Sequence, residues 1–251
     1  VCSRISAHLE LTVEGGAAGV SDRGPWRERN ADAMALVTAG EWTVGVVCDG
    51  VSMAPRAERA AQIAAAGGAA LAARLREGPA GRAVAAPTAP GDIAPACTWV
   101  AGVAGPEGLW AGWAGDSRAY WLPDEGPGMT LTVDASTRPS PLGSAPRGPT
   151  GARIRSHRPQ VPGRLLPCTD GLWRCLPTAE ELRSVLTGTR SSGDGLLAEA
   201  RAPTGYTLEA GGHDDVTALL IPAPPLCRGD GRDRAAAARA DRGEADRDCK
   251  A

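Results

Sequence analysis

Phenylalanine is absent from the chain, and tyrosine occurs only twice. The core must therefore be assembled from alanine, valine, leucine and the seven tryptophans. Only three histidines occur, His8, His157 and His213, and no H-E-x-x-H pattern, so a histidine-rich metal site cannot be built. The seven cysteines (Cys2, Cys48, Cys97, Cys168, Cys175, Cys227 and Cys249) are odd in number and contain no C-x-x-C pair. That argues against a zinc ribbon or a disulfide framework. Most of them sit in apolar runs and read as small core residues. A basic excess is also missing: 27 Lys and Arg face 29 Asp and Glu, a formal net charge of -2. Such a balance argues against a dedicated nucleic-acid binder. No apolar run reaches the roughly 18 residues of a membrane span, and no basic-then-apolar leader opens the sequence. The expectation is a cytoplasmic protein without nucleic-acid or membrane partners.

What is present is turn-forming. The 251 residues include 33 Gly and 21 Pro, enough chain for one ordinary domain interrupted by many loops. Residues 1–14 alternate weakly and suit an edge strand, and 15–25 read as a turn-rich connection. Runs at 33–38 and 42–48 are separated by a short turn and predict a hairpin, the second run apolar enough to be buried on both faces. Residues 55–76 are alanine-rich and helical in pattern, and 78–95 form a Gly/Pro/Ala linker. Strands are predicted at 96–104, 109–114, 117–122 and 129–133. Short strands joined by tight turns imply an antiparallel sheet. Residues 134–160 carry five prolines and predict little regular structure. A strand follows at 165–169. Thr178-Ala-Glu-Glu181 matches a capping box and opens a helix to about 186. Residues 195–210 are helical in composition but interrupted by Pro203 and Gly205. A last strand is expected at 216–222, and the charged stretch 223–251 reads as a disordered tail.

A set of aspartates stands out. Asp49-Gly50 follows the apolar run TVGVVC, Asp116 separates two strands, Asp170-Gly171 follows RLLPCT, Asp214 precedes the last strand, and Asp32 precedes the hairpin. Buried carboxylates are costly unless paired or bound to metal. Several converging at one end of a sheet sandwich would need a cation. Oxygen-only ligands favour magnesium or manganese. Two such ions can share a carboxylate, lower the pKa of a water and clamp phosphoryl oxygens. Arg27, five residues before Asp32, suits bidentate phosphate binding.

The words around these aspartates resemble the metal-dependent protein phosphatases (the PPM or type 2C family) in their bacterial form. Ser21 to Asp32 (SDRGPWRERNAD) resembles S-D-x-G-x-x-R-x-x-N-E-D. Val46 to Val51 resembles V-x-D-G followed by an apolar residue, and Ala96 to Val100 resembles the G-[ST]-T strand. Ala114 to Tyr120 matches G-D-S-R-x-Y, Leu165 to Trp173 resembles L-L-L-C-[ST]-D-G-L-W, and Gly211 to Thr217 resembles G-G-x-D-N-[IV]-T. The motifs occur in the family's order over residues 5–222.

The resemblance implies an α+β fold: two antiparallel β-sheets packed as a sandwich and flanked by helices (α-β-β-α). The phosphatase-like domain would span residues 1–222, with 134–160 as a shortened flap region. It implies two Mn or Mg ions between the sheets, bridged by Asp49, with the Gly50 carbonyl, Asp170 and Asp214 as further ligands. Asp32 would act through bound water, and Asp116 would help a weaker third ion together with Asp170. Arg27 would take the phosphate. The implied activity is that of a protein-serine/threonine phosphatase, hydrolysing phosphoserine or phosphothreonine by attack of a hydroxide bridging the two ions. A phosphorylated protein is the implied substrate, and a Ser/Thr kinase or its targets are the implied partners.

Departures also occur. Ala31 replaces the family's Glu, whose loss is expected to weaken one ion. Asp215 replaces Asn, and its added charge is expected to raise a neighbour's pKa. Val51 replaces the histidine of eukaryotic members. The segment from Ala119 to Thr169 is short. These departures motivate the alternative of a catalytically weak or inactive phosphatase-like binding or regulatory module.

Overall fold

The computed structural model describes residues 7–50, 58–59, 61–62, 65, 97–133, 153–190 and 195–226. The predicted linker at 78–95, most of the segment 134–160 and the tail beyond 226 lie outside the described residues.

Among the described residues, eleven strands form two sheets. The first has the order β1-β2-β11-β10-β7-β8 and the second the order β3-β4-β5-β6-β9, with every pair antiparallel. The strands are β1 (His8–Thr12), β2 (Ala18–Asp22), β3 (Ala33–Ala39), β4 (Trp42–Gly50), β5 (Cys97–Gly105), β6 (Gly108–Ala114), β7 (Arg118–Pro123), β8 (Met129–Thr130), β9 (Arg153–His157), β10 (Gly163–Cys168) and β11 (Val216–Ala223). Between β10 and β11 lie the helices α1 (Asp170–Trp173), α2 (Ala179–Arg190) and α3 (Gly195–Glu209).

Period-2 alternation sorts the side chains into three apolar layers. Between the sheets lie Met34, Leu36, Val47, Val100, Trp113 and Leu219 with their neighbours. The outer face of the first sheet presents Val20, Leu166 and Leu220 to Leu182, Leu186 and Ala200 of α2 and α3. The outer face of the second sheet presents Val44, Val46 and Cys48 to Ala61 and Ala65, which are helical. This is the α+β sandwich expected. The predicted helix at 55–76 is represented by the helical residues Glu58, Arg59, Ala61, Gln62 and Ala65.

Three local expectations are corrected. The stretch read as a connection contains β2, whose Ala-Gly-Val-Ser-Asp has little β-forming bulk. It is a strand because it is buried between β1 and β11. The proline-rich segment contains β9, an edge strand pairing with β6. Pro203 does not break α3: the helix runs through it, because Ala200, Pro203, Thr204 and Thr207 are buried and packing outweighs the lost backbone bond. Asp170 and Gly171, just past β10, begin α1. The capping box is as expected: the Thr178 amide donates to Glu181 Oε2 (3.0 Å) and the Glu181 amide to Thr178 Oγ1 (3.2 Å).

Candidate metal centre

Strand register alone gathers the aspartates. Ala33 pairs with Cys48, so Asp32 and Asp49 sit at the same end of the β3–β4 hairpin. Asp49 pairs with Thr98, and Trp99 with Ala114, which brings the β6–β7 turn carrying Asp116 to that end. In the other sheet Arg118 pairs with Cys168, and Cys168 with Ala218. Asp170 and Asp214 therefore stand at the corresponding end of β10 and β11. The β6–β7 turn needs Gly115, whose φ of +97° suits glycine and whose Cβ position would meet Thr98 at 2.5 Å. Gly50 closes β4 and donates its amide to the Ala31 carbonyl (3.2 Å).

Asp32 is buried and sits in a chain of hydroxyls. Its Oδ2 accepts from Thr169 Oγ1 (2.8 Å) and from Thr217 Oγ1 (2.7 Å). Thr217 Oγ1 is 2.7 Å from Ser21 Oγ, which accepts from Asn30 Nδ2 (2.9 Å). Since the Thr217 proton points to Asp32, Ser21 is the donor to Thr217. The Asp32 amide in turn donates to Asn30 Oδ1 (3.0 Å). Burial outweighs these bonds, with Asp215 and Asp170 adding repulsion, and pushes the Asp32 carboxyl up to about 8. Asp49 is pushed up to about 9 by burial and then by Asp32, Asp170, Asp214 and Asp116. Burial also raises Asp170, while Arg174 opposes it through an ion pair of 2.7 Å.

Arg27 engages Asp214: Nε and Nη2 both donate to Asp214 Oδ1, at 2.9 and 2.5 Å. The predicted phosphate ligand and a predicted metal ligand are thus paired with each other. Asp215 faces the other way. Its two oxygens accept the amides of Gly24 (2.9 Å) and Ala31 (2.7 Å), the two ends of the loop that carries Arg27. Gly24 packs so closely on this segment that a Cβ would stand 2.6 Å from the Asp214 backbone. The expectation that the charge of Asp215 raises a neighbour's pKa is met at Asp32, and its role as a loop anchor is new. At the Ala31 position only backbone reaches Asp215 and Gly50. Val51 lies outside the described residues.

Thr169, Thr217, Ser21 and Asn30 were not singled out from the sequence. The signal was a hydroxyl residue beside each of two motif aspartates, in Thr169-Asp170 and in Asp215-Val216-Thr217. Trp173 was read as packing. Its indole also donates to the Asp116 carbonyl (2.9 Å), tying α1 to the β6–β7 turn, and the Arg118 guanidinium lies 3.6 Å from its ring centre. His213 stands edge-on to Trp26, whose side chain is exposed. Cys168 is fully buried and burial raises its thiol far above the ordinary value, as suits an inert core residue.

The donor set is oxygen throughout, which suits a hard divalent ion. Two buried carboxyls held toward neutrality are what such a set becomes when no cation balances it. Among the described residues, no three His, Cys, Asp or Glu side chains are close enough to enclose an ion in the present arrangement. Arg27 and Arg174 supply the positive charge instead.

No family model matches the chain, and no curated protein does. Solved structures do. The catalytic domain of the serine/threonine protein phosphatase PstP in complex with two manganese ions is similar at 23% identity and a TM-score of 0.56, with 81% of this chain and 96% of that one covered. The Mycobacterium tuberculosis serine/threonine phosphatase PstP/Ppp is similar at 21% identity and a TM-score of 0.53, with coverage of 81% and 96%. Serine/threonine phosphatase Stp1 from Staphylococcus aureus is similar at 15% identity and a TM-score of 0.57, with coverage of 86% and 97%. The chain therefore has the fold of the bacterial serine/threonine phosphatases.

Proposed function

We propose that this chain is a metal-dependent serine/threonine phosphoprotein phosphatase. The observation that carries the reading is the convergence, by strand register, of Asp32, Asp49, Asp116, Asp170 and Asp214 beside Arg27. Asp49, Asp170, Asp214 and the Gly50 carbonyl would hold two Mn or Mg ions, with Asp32 acting through water and Asp116 joining Asp170 toward a third. When bound, these ions supply a water of lowered pKa as nucleophile and neutralise charge on the phosphoryl oxygens.

The chain's own residues prepare that site. Thr169 and Thr217 fix one oxygen of Asp32, so the carboxyl cannot rotate. Asp215 holds both ends of the loop that presents Arg27. Arg27, which pairs with Asp214 through Nε and Nη2, would present the same fork to a phosphoryl group as two parallel bonds, orienting it. The Asp170–Arg174 pair keeps a second carboxylate in place at the start of α1. The substrate is a phosphorylated protein, supplied by a Ser/Thr kinase in the same cytoplasm.

The test is hydrolysis of a phosphothreonine peptide with and without millimolar manganese. Manganese-dependent release of phosphate, lost in Asp49→Asn, is expected. Full activity in Asp49→Asn would refute the mechanism. Ala31 and the Arg27 grip on Asp214 favour a second reading, a phosphatase-like module that binds a phosphoprotein without hydrolysing it. A folded protein that shows no manganese binding in calorimetry would select it.

A further inference from the structure

Cys48 and Cys97 are free thiols on neighbouring strands of the second sheet. In the β4–β5 register Cys48 pairs with Trp99 and Cys97 with Gly50, so the two cysteines are diagonal neighbours. Both side chains project from the same outer face, where Cys48 is buried and Cys97 is partly exposed at its edge. Cys97 packs against the cluster that contains Cys48. Neither reading of the sequence nor the phosphatase mechanism gives this pair a task. The metal-site residue Asp49 follows Cys48 directly, and Gly50 is the strand partner of Cys97.

We propose that Cys48 and Cys97 form a reversible disulfide on exposure to a peroxide, and that closing it reshapes the Asp49–Gly50 end of β4. The partly exposed Cys97 thiol reacts first. The Cys97 sulfur attacks one peroxide oxygen, the O–O bond breaks, and a sulfenic acid and water result. The buried Cys48 thiol then attacks the Cys97 sulfur. The S–S bond forms, the S–O bond breaks, and the hydroxyl leaves as water with the Cys48 proton. Both sulfurs are oxidised by one electron each, and the peroxide is reduced to two waters.

Geometry supplies the coupling. Diagonal neighbours across an antiparallel pair have Cα atoms about 7–8 Å apart, whereas a relaxed disulfide spans about 5.5–6 Å. Closure must therefore draw the ends of β4 and β5 together by roughly 1–2 Å. The backbone that moves is the one carrying Asp49 and Gly50. A bond formed against the sheet's own spacing is also easily reduced, as a reversible switch requires. The disulfide itself stands independently of the proposed activity. Its effect on metal binding rests on the phosphatase reading.

The experiment treats the full chain with a few equivalents of hydrogen peroxide and maps its cysteines by mass spectrometry before and after dithiothreitol. A Cys48–Cys97 cross-linked peptide, 2 Da lighter than the two thiols together and restored by dithiothreitol, is expected. Cys48→Ser should instead accumulate Cys97 sulfenic acid that dimedone traps, and Cys97→Ser should leave Cys48 reduced. Cys97 that stays a thiol, passes to sulfinic acid with Cys48 untouched, or pairs with Cys175 overturns the proposal. Manganese titration by calorimetry then reads the coupling, with at least tenfold weaker binding expected for the oxidised protein. Equal affinity in both states overturns the coupling alone. Binding absent from the reduced protein overturns the coupling together with the phosphatase reading, whatever the mass map shows.

Discussion

Replacing Thr217 with valine removes one hydroxyl from the centre of the hydroxyl chain while keeping the shape of the side chain. Thr217 is fully buried, its Oγ1 donates to Asp32 at 2.7 Å, and it accepts from Ser21 at 2.7 Å. In Thr217→Val the Ser21 hydroxyl loses its acceptor, and Asp32 keeps only Thr169. A buried polar group left without its partner costs about 1–3 kcal/mol. With some repair by rotation of Ser21, the expected loss is about 2 kcal/mol, which lowers Tm by roughly 4–8 °C in a domain of this size. A second effect acts on the site. The Thr217 bond lowers the Asp32 pKa, so its removal moves that carboxyl further above about 8. Since a carboxyl that is to hold metal-bound water as an acceptor must lose its proton, manganese affinity at neutral pH should fall and recover as pH rises. Thermal denaturation of metal-free protein measures the first effect, and manganese titration across pH 6.5–9 measures the second. Thr217→Ser keeps the hydroxyl and should restore metal affinity. A valine variant within 0.5 kcal/mol of the parent, with unchanged metal affinity, would refute this account of how Asp32 is held.

Gly24→Ala places a methyl group 2.6 Å from the backbone of Asp214, so the loop must back away. A cost of about 1–3 kcal/mol is expected, with phosphate release from a phosphopeptide falling at least tenfold. The metal-free protein should lose stability as pH rises. Asp32 and Asp49 keep protons in the fold up to about 8 and about 9, while the unfolded chain releases them near 3.8. Between those limits the native state binds more protons, so the free energy of unfolding falls with pH, and saturating manganese should flatten that slope. On the surface, Arg201 donates to both oxygens of Glu10 and holds its pKa down to about 2, against 4.5 for the free group. That contribution is present above pH 4.5 and disappears as pH falls through about 2. The small Tm deficit of Arg201→Ala at neutral pH should vanish in the same window, as acid melts of the two proteins would reveal.

The gathering of the aspartates was more legible in the sequence than the frame around them. Each aspartate interrupts or abuts an apolar run, and in an antiparallel sheet such positions are confined to strand ends. Pairing then brings Asp32, Asp49, Asp116, Asp170 and Asp214 together with no further information. β2 was hidden because Ala-Gly-Val-Ser-Asp carries no aromatic and a single β-branched residue. Its strand character comes from its neighbours β1 and β11, which are distant in sequence. β9 was obscured by surrounding prolines, and its exposed edge leaves only a faint alternation. Pro203 misled because the rule against internal proline neglects the burial that compensates for it. The partners of Asp32 could not be read at all, since Thr169 and Thr217 meet that carboxyl only when both sheets are formed.

The anchoring of the Arg27 loop has a consequence for the order in which the protein matures. Gly24 is tied to a carboxylate 191 positions further along the chain, and Ala31 to the same group 184 positions away. Contacts of such long range form late, because the intervening chain must be ordered first. On the ribosome, a chain whose β11 is still in the exit tunnel can fold its hairpins but cannot seat this arginine. The Arg27 loop therefore takes its place only after Asp215 and β11 have emerged and paired, and detachment of β11 releases it first.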